Sequence, residues 1–214
     1  MSRRDESQER SRQESHRVSQ EPLEAVSHVL SAGEVERFLR QTGREGLEVE
    51  IGCGNGHFLT ATAERHPSRS FLGVDLKMPR CRKALRKAER RGLANVGIVC
   101  ARGEEVLRHL PDCGVSTFHL YFPDPWPKSR HRRRRFFKMP QLELLAGKLT
   151  RGGKLHFVTD FYDYYVQAKV LVLLHPRMEL LGEPPPEDAL VSMFGRRFVD
   201  WGKDIYCVNA RRSR

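Results

Sequence analysis

From Leu47 onward, short apolar runs alternate with longer amphipathic ones. "LEVEI" (47–51) reads as a strand running into glycines, "HFLTATAERH" as a helix and "SFLGVD" as a second strand. "PRCRKALRKAERRG" has helical spacing, with Pro79 at its first turn and Gly92 at its end. "NVGIVC" predicts a third strand, "GEEVLRHL" a short helix and "STFHLYF" a fourth strand. "FKMPQLELLAGKL" predicts a helix interrupted early by Pro140, "GKLHFVT" a fifth strand and "FYDYYVQAKVLVLL" a further helix. Segments around 177–182 and 204–209 have the composition to close a sheet. Regular strand–helix alternation implies an α/β fold whose central sheet is mostly parallel and covered by helices on both faces. In such sheets ligands sit beyond the carboxyl ends of the strands, and those ends carry the candidate chemistry.

The first strand ends in "EIGCGNG", which spaces Gly52, Gly54 and Gly56 behind Glu50. Glycines there allow a tight turn and let a ligand lie against bare backbone. A dinucleotide fingerprint is G-x-G-x-x-G, whose spacing aims a helix N-terminus at a pyrophosphate. Here the spacing is G-x-G-x-G, and a carboxylate at Glu50 repels a pyrophosphate. It suits a ligand bearing positive charge, such as the sulfonium and amino groups of S-adenosylmethionine. Asp75 closes the second strand, where a carboxylate can take both ribose hydroxyls or cap the following helix. Cys53, inside the glycine loop, reads as a small spacer there rather than a nucleophile.

After the fourth strand comes "PDPWPKSRHRRRR". Pro123, Pro125 and Pro127 restrict the backbone and hold Asp124 with little freedom. Trp126 is either a packing anchor or a surface for a base. Lys128 and the arginines Arg130, Arg132, Arg133, Arg134 and Arg135 are expected to cross into solvent and meet phosphates. A solvated basic helix start or a localisation-like patch is the plain alternative.

Composition argues for an acidic partner, either nucleic acid or an anionic membrane face. Lys and Arg exceed Asp and Glu by 11 over 214 residues, a length that suits one folded domain and is short for two. Residues 1–21 are almost wholly polar, with five arginines balancing five acids. They are expected to form a disordered tail ahead of a single domain over residues 22–214. No apolar run approaches membrane-spanning length, and the N-terminus lacks a hydrophobic signal core. Five scattered cysteines, none in C-x-x-C spacing, suggest reduced thiols in the cytoplasm and no metal site. The nine histidines form no metal-like or triad-like pattern. Oligomeric state is not legible in the sequence.

"FPDPWPKSRHRRRR", with the E-I-G-x-G-x-G stretch, "GGKLHFVTD" and "SMFGRRFVDWGKDIY", resembles the tRNA (guanine-N7)-methyltransferase family from roughly Leu47 to the C-terminus. The resemblance implies a class I methyltransferase, Rossmann-like fold and S-adenosylmethionine as cofactor. It implies N7 methylation of a guanosine in the tRNA variable loop, position 46. Glu50, Gly52, Gly54, Gly56 and Asp75 then fall in the cofactor site, with Asp75 replacing the family's usual Glu. Arg102 and Gly103 stand where the family has an acid or amide and an alanine near the adenine, leaving Glu104 or the backbone to serve. Asp124 matches the catalytic, cofactor-side aspartate, and Lys128 and Asp160 match substrate-binding residues. The family's T-x-F-E becomes Ser192, Met193, Phe194 and Gly195, which keeps the hydroxyl and loses the acid. Two alternatives remain open at this level. One is a catalytically weakened relative that binds tRNA, and the other is a class I methyltransferase acting on another RNA or a protein. A nicotinamide enzyme is disfavoured by the glycine spacing and by Glu50.

Overall fold

The computed structural model describes residues 28–42, 46–182, 184, 186, 189 and 201–213. The expected polar tail lies outside them, as do Ser192 and Gly195. Strands β1 (Leu47–Ile51), β2 (Ser70–Asp75), β3 (Val96–Cys100), β4 (Val115–Tyr121), β5 (Leu149–Thr159), β6 (Met178–Leu181) and β7 (Tyr206–Arg212) form one sheet. Their order is β3-β2-β1-β4-β5-β7-β6. β1 to β5 pair in parallel, while β7 runs antiparallel to both β5 and β6.

Burial on both faces explains why β2 and β3 read as nearly continuous apolar runs, whereas β1 buries Glu48 and Glu50 between its apolar residues. All six residues of β2 are buried. On one face Val49, Leu72, Val99, Phe118 and Phe157 pack under helices α1 (Val35–Thr42), α4 (Gly103–His109), α5 (Met139–Lys148) and α6 (Tyr162–Leu174). On the other, Phe71, Val96 and Ile98 pack under α2 (His57–Arg65) and α3 (Met78–Arg90). The chain turns outward in opposite senses from the neighbouring β1 and β4, which opens a crevice between their carboxyl ends.

Two expectations need correcting, and one element was not expected. Pro140 does not interrupt α5. It sits in the helix's first turn, where a backbone N–H has no intrahelical acceptor and its loss is harmless. β5 begins at Leu149 rather than Gly153, because Leu149 pairs with Val115 and Lys154 with Thr117, so residues 150–153 bulge out of the ladder. α1, preceded by a 3-10 turn over Ala32–Glu34, had no counterpart in the sequence reading. Its Val35 and Phe38 are buried against the core.

Candidate active site

The turn after β1 is built on left-handed backbone. Gly52, Gly54 and Gly56 have φ of 87°, 54° and 67°, a region costly for other L-residues. At Gly56 a Cβ would also lie 2.8 Å from that of Ala84, so glycine lets α2 and α3 approach. At Gly52 and Gly54 a Cβ would meet nothing within 4 Å, leaving the turn's surface open. Lys87 donates to the Asn55 carbonyl at 3.0 Å and pins the turn to α3.

This turn borders a cavity of about 540 Å³ at the carboxyl edge of the sheet. Glu50, Gly52, Gly54, Asp75, Arg102, Gly103 and Glu104 line it, together with Asp124, Trp126, Arg134 and Asp160. Most of the sequence candidates thus share one cavity. Lys128 and Arg130, Arg132 and Arg133 are exposed on the adjoining segment.

Glu50 is the most unusual group in this cavity. Its Oε2 is buried and has no hydrogen-bond partner in the protein. Burial, reinforced by the nearby Asp75 charge, pushes its carboxyl up to about 8 against the partial relief of the Leu59 backbone and Lys87. An orphaned acid at the wall of an open cavity fits a cationic group, as the amino end of S-adenosylmethionine provides. Asp75 accepts from the Gly54 N–H at 3.0 Å and from the Lys77 N–H at 2.8 Å. Its carboxylate therefore ties the glycine turn to the end of β2 and is not a side-chain cap of α3, whose N-cap is Lys77. Gly103 leaves no room for a side chain: a Cβ would come within 2.8 Å of Phe136 and 3.0 Å of Ile51. Burial pushes the Cys53 thiol well up, which makes it a poor nucleophile and agrees with a spacer role.

The loop that carries Asp124 is anchored on both sides. The Phe122 N–H donates to the Val158 carbonyl at 2.7 Å, and the Pro125 carbonyl accepts from Arg135 Nε at 2.8 Å. Phe122 and Trp126 both adopt left-handed φ, 50° and 43°, costing about 1–3 kcal/mol each. The loop is thus fixed by its surroundings and its prolines, with Asp124 exposed at its tip.

Arg135 departs from expectation. It does not join the other arginines in solvent, because its side chain is fully buried. It donates to Asp163 at 2.7 Å, to Gln167 at 2.6 Å and to Pro125, and its guanidinium lies 4.7 Å from the Tyr164 ring centre. A planar donor fork that satisfies three acceptors suits this interior position. The 3-10 turn Ser129–Arg134 projects the remaining arginines outward. There Arg134 lies over the Trp126 ring at 4.9 Å, and Arg132 pairs with Asp163 at 2.7 Å. Trp126 is half-buried and so can serve both of the roles its sequence context allowed.

The sequence reading missed Lys203, whose ammonium pairs with Asp160 at 3.1 Å and which lines the cavity. No local pattern marked it: only the antiparallel pairing of β7 with β5 returns the residues leading into β7 to β5's carboxyl end.

A family model described as "Putative methyltransferase" matches residues 44–208. The tRNA (guanine-N(7)-)-methyltransferase of Alkalilimnicola ehrlichii is 34% identical over 187 residues, covering 85% of this chain and 79% of that protein. The protein of that name from Halorhodospira halophila is 41% identical over 167 residues, covering 74% and 71%. The chain belongs to the tRNA (guanine-N7)-methyltransferase family. In this member the fold also matches the solved 16S rRNA methyltransferase KamB, with a TM-score of 0.61 at 19% identity over 90% of this chain and 98% of that one. That likeness concerns the fold alone. The class I methyltransferase architecture accounts for the cavity at the β1–β4 crevice, and S-adenosylmethionine is the cofactor of this methyltransferase family. Among the described residues no group of histidines, cysteines or acids could hold a metal, and no helix is long and apolar enough to cross a membrane.

Proposed function

We propose that the protein methylates N7 of a guanosine in tRNA, at position 46 of the variable loop, in the cytoplasm. The observation that carries this reading is one cavity lined together by the orphaned Glu50, by Asp124 on its anchored loop and by Asp160. Exposed arginines stand at its rim. Both curated relatives named above carry the corresponding activity in their names.

Bound S-adenosylmethionine supplies an electrophilic methyl carbon on a cationic sulfur. Guanine N7 has a free lone pair at neutral pH, so the protein has no proton to remove. Its task is alignment, and well-oriented reactants recover about 7–11 kcal/mol of a barrier. Glu50 pairs with the amino end of the cofactor and Asp75 holds the glycine turn against the ribose. Asp124 faces the positive charge that moves onto the purine during transfer. Asp160 and Lys128 receive the guanine edge and its phosphate. Lys203 must release Asp160 or share it with the base. Ser192 and Gly195, outside the described residues, are assigned to the guanine side by family resemblance.

The decisive experiment incubates the purified protein with unmodified tRNA and methyl-labelled cofactor, then digests the RNA to nucleosides. The expected product is 7-methylguanosine, mapped to the variable loop. Label in another nucleoside, or in protein, would sink the reading. Asp124→Ala is expected to lower kcat about 100- to 1,000-fold, as losing one preorganised charge at a transition state does. Because Asp124 is exposed, thermal unfolding should stay within a few degrees of wild type.

A further inference from the structure

Beyond Asp160, on the same edge of the sheet, three tyrosines come together from two elements. Tyr162 and Tyr165 stand on the first turn of α6, and Tyr206 begins β7 opposite Thr159. The Tyr165 and Tyr206 rings stack with centres 5.4 Å apart. Tyr162 lies edge-on to Tyr206 at 5.3 Å and tilted on Tyr165 at 6.0 Å. Despite this company Tyr162 is 61% exposed. Asp163, on the same turn, faces Arg132 and Arg135 instead, so the tyrosines own the other side of the helix start.

We propose that Tyr162, backed by Tyr165 and Tyr206, is a stacking surface for an unpaired nucleobase next to the target guanosine. The proposal rests on the reading of the cavity as an RNA-methylating site. Asp160 lines that cavity and lies two residues before Tyr162. Two residues of extended chain span roughly 7 Å, which brings a neighbouring nucleotide within reach of the ring. A base whose N7 enters a recessed pocket must leave its stack, and a ring at the mouth replaces part of what is lost. The ring is already ordered by its two neighbours, so little side-chain freedom is given up on binding. Charged groups of both signs border the platform: the Lys169 ammonium is 5.7 Å from the Tyr165 ring centre, Lys203 pairs with Asp160, and Asp204 accepts from the Tyr206 hydroxyl at 3.3 Å. That setting favours an RNA strand over an apolar protein face, although Val166, Val170 and Leu173 continue the exposed side of α6 away from the pocket.

The test uses an unmodified tRNA transcript with 2-aminopurine beside the methylated guanosine. Wild-type protein is expected to quench its fluorescence on binding. Tyr162→Ala should abolish the quench and weaken tRNA binding about 5- to 100-fold, the range one aromatic stack carries. S-adenosylhomocysteine affinity should not change, and Tyr162→Phe should restore both quench and affinity. If the wild type makes 7-methylguanosine while Tyr162→Ala matches it in quench and affinity, the platform is overturned and the activity stands. If no tRNA is methylated, the activity fails alone. The platform is then judged with a single-stranded oligoribonucleotide carrying 2-aminopurine, and no quench by wild type overturns it. Sedimentation supplies the last check: if Tyr162→Ala dissociates a wild-type oligomer, this face is covered by protein and the proposal falls.

Discussion

Glu50 is a conflict between stability and binding held on one side chain. In the unfolded chain its carboxyl titrates near 4.5, and in the folded protein burial raises it to about 8. Between those values the unfolded chain loses the proton and the folded one keeps it, so folding stability falls as pH rises through this window. At 1.36 kcal/mol per pH unit the loss reaches about 3 kcal/mol near neutrality. Glu50→Gln removes the titration. Its stability relative to wild type should therefore improve by about 3 kcal/mol between pH 5 and pH 7.5, measured by urea unfolding without ligand. Binding runs the other way. An ammonium needs the carboxylate, so S-adenosylhomocysteine should bind wild type more tightly as pH rises towards 8, by up to about tenfold per unit, and release a proton as it does. Glu50→Gln should bind weakly with no such dependence. Calorimetry in two buffers of different ionisation enthalpy reads the proton directly, and a flat wild-type profile would remove Glu50 from the cofactor site.

The loop between β4 and α5 shows how far elements can be read from sequence. The alternation of apolar runs gave each strand from β1 to β4 almost to the residue, because each run is short and bounded by glycine, proline or polar turn residues. Proline and glycine placement located α3 for the same local reason. Position within the loop was legible as well: three prolines around Asp124 announce a fixed backbone. What the sequence could not show is that the last arginine of the run turns inward. Arg132 to Arg135 are chemically identical, and only tertiary contacts with Pro125, Asp163 and Gln167 single one out. Likewise the bulge at residues 150–153 is set by pairing with β4, not by local preference. Arg135→Met should cost roughly 3 kcal/mol, because Pro125 and Gln167 lose a buried donor while Asp163 keeps Arg132. Under conditions where the variant is folded, kcat should fall with S-adenosylhomocysteine affinity nearly intact, since the loop loses one of its anchors. Equal losses in both would assign Arg135 to general stability.

At the scale of the molecule, the charge excess of 11 and the cavity act on one partner over different distances. Residues 1–21 are charge-balanced, so the excess resides in the rest of the chain, and part of it is concentrated beside the cavity mouth. Phosphate contacts hold and orient an RNA without reading its sequence, which leaves the choice of guanosine to the pocket and to tRNA shape. The salt dependence of binding separates the two contributions. Each arginine that releases a counterion on meeting a phosphate adds about 0.7–0.9 to the slope of log affinity against log salt. Arg130→Ala and Arg133→Ala, both exposed and outside the ion pairs found among the described residues, should each flatten the slope by about that amount. Arg132→Ala should flatten it less, because Arg132 must first leave Asp163. Arg135→Met should leave the slope unchanged even as it lowers stability, because a fully buried guanidinium meets no phosphate. Filter binding of one tRNA across a salt series measures all four slopes. A flattening by Arg135→Met equal to that of Arg133→Ala would mean that the loop refolds around RNA, and that the contacts of Arg135 with Pro125, Asp163 and Gln167 do not survive in the complex.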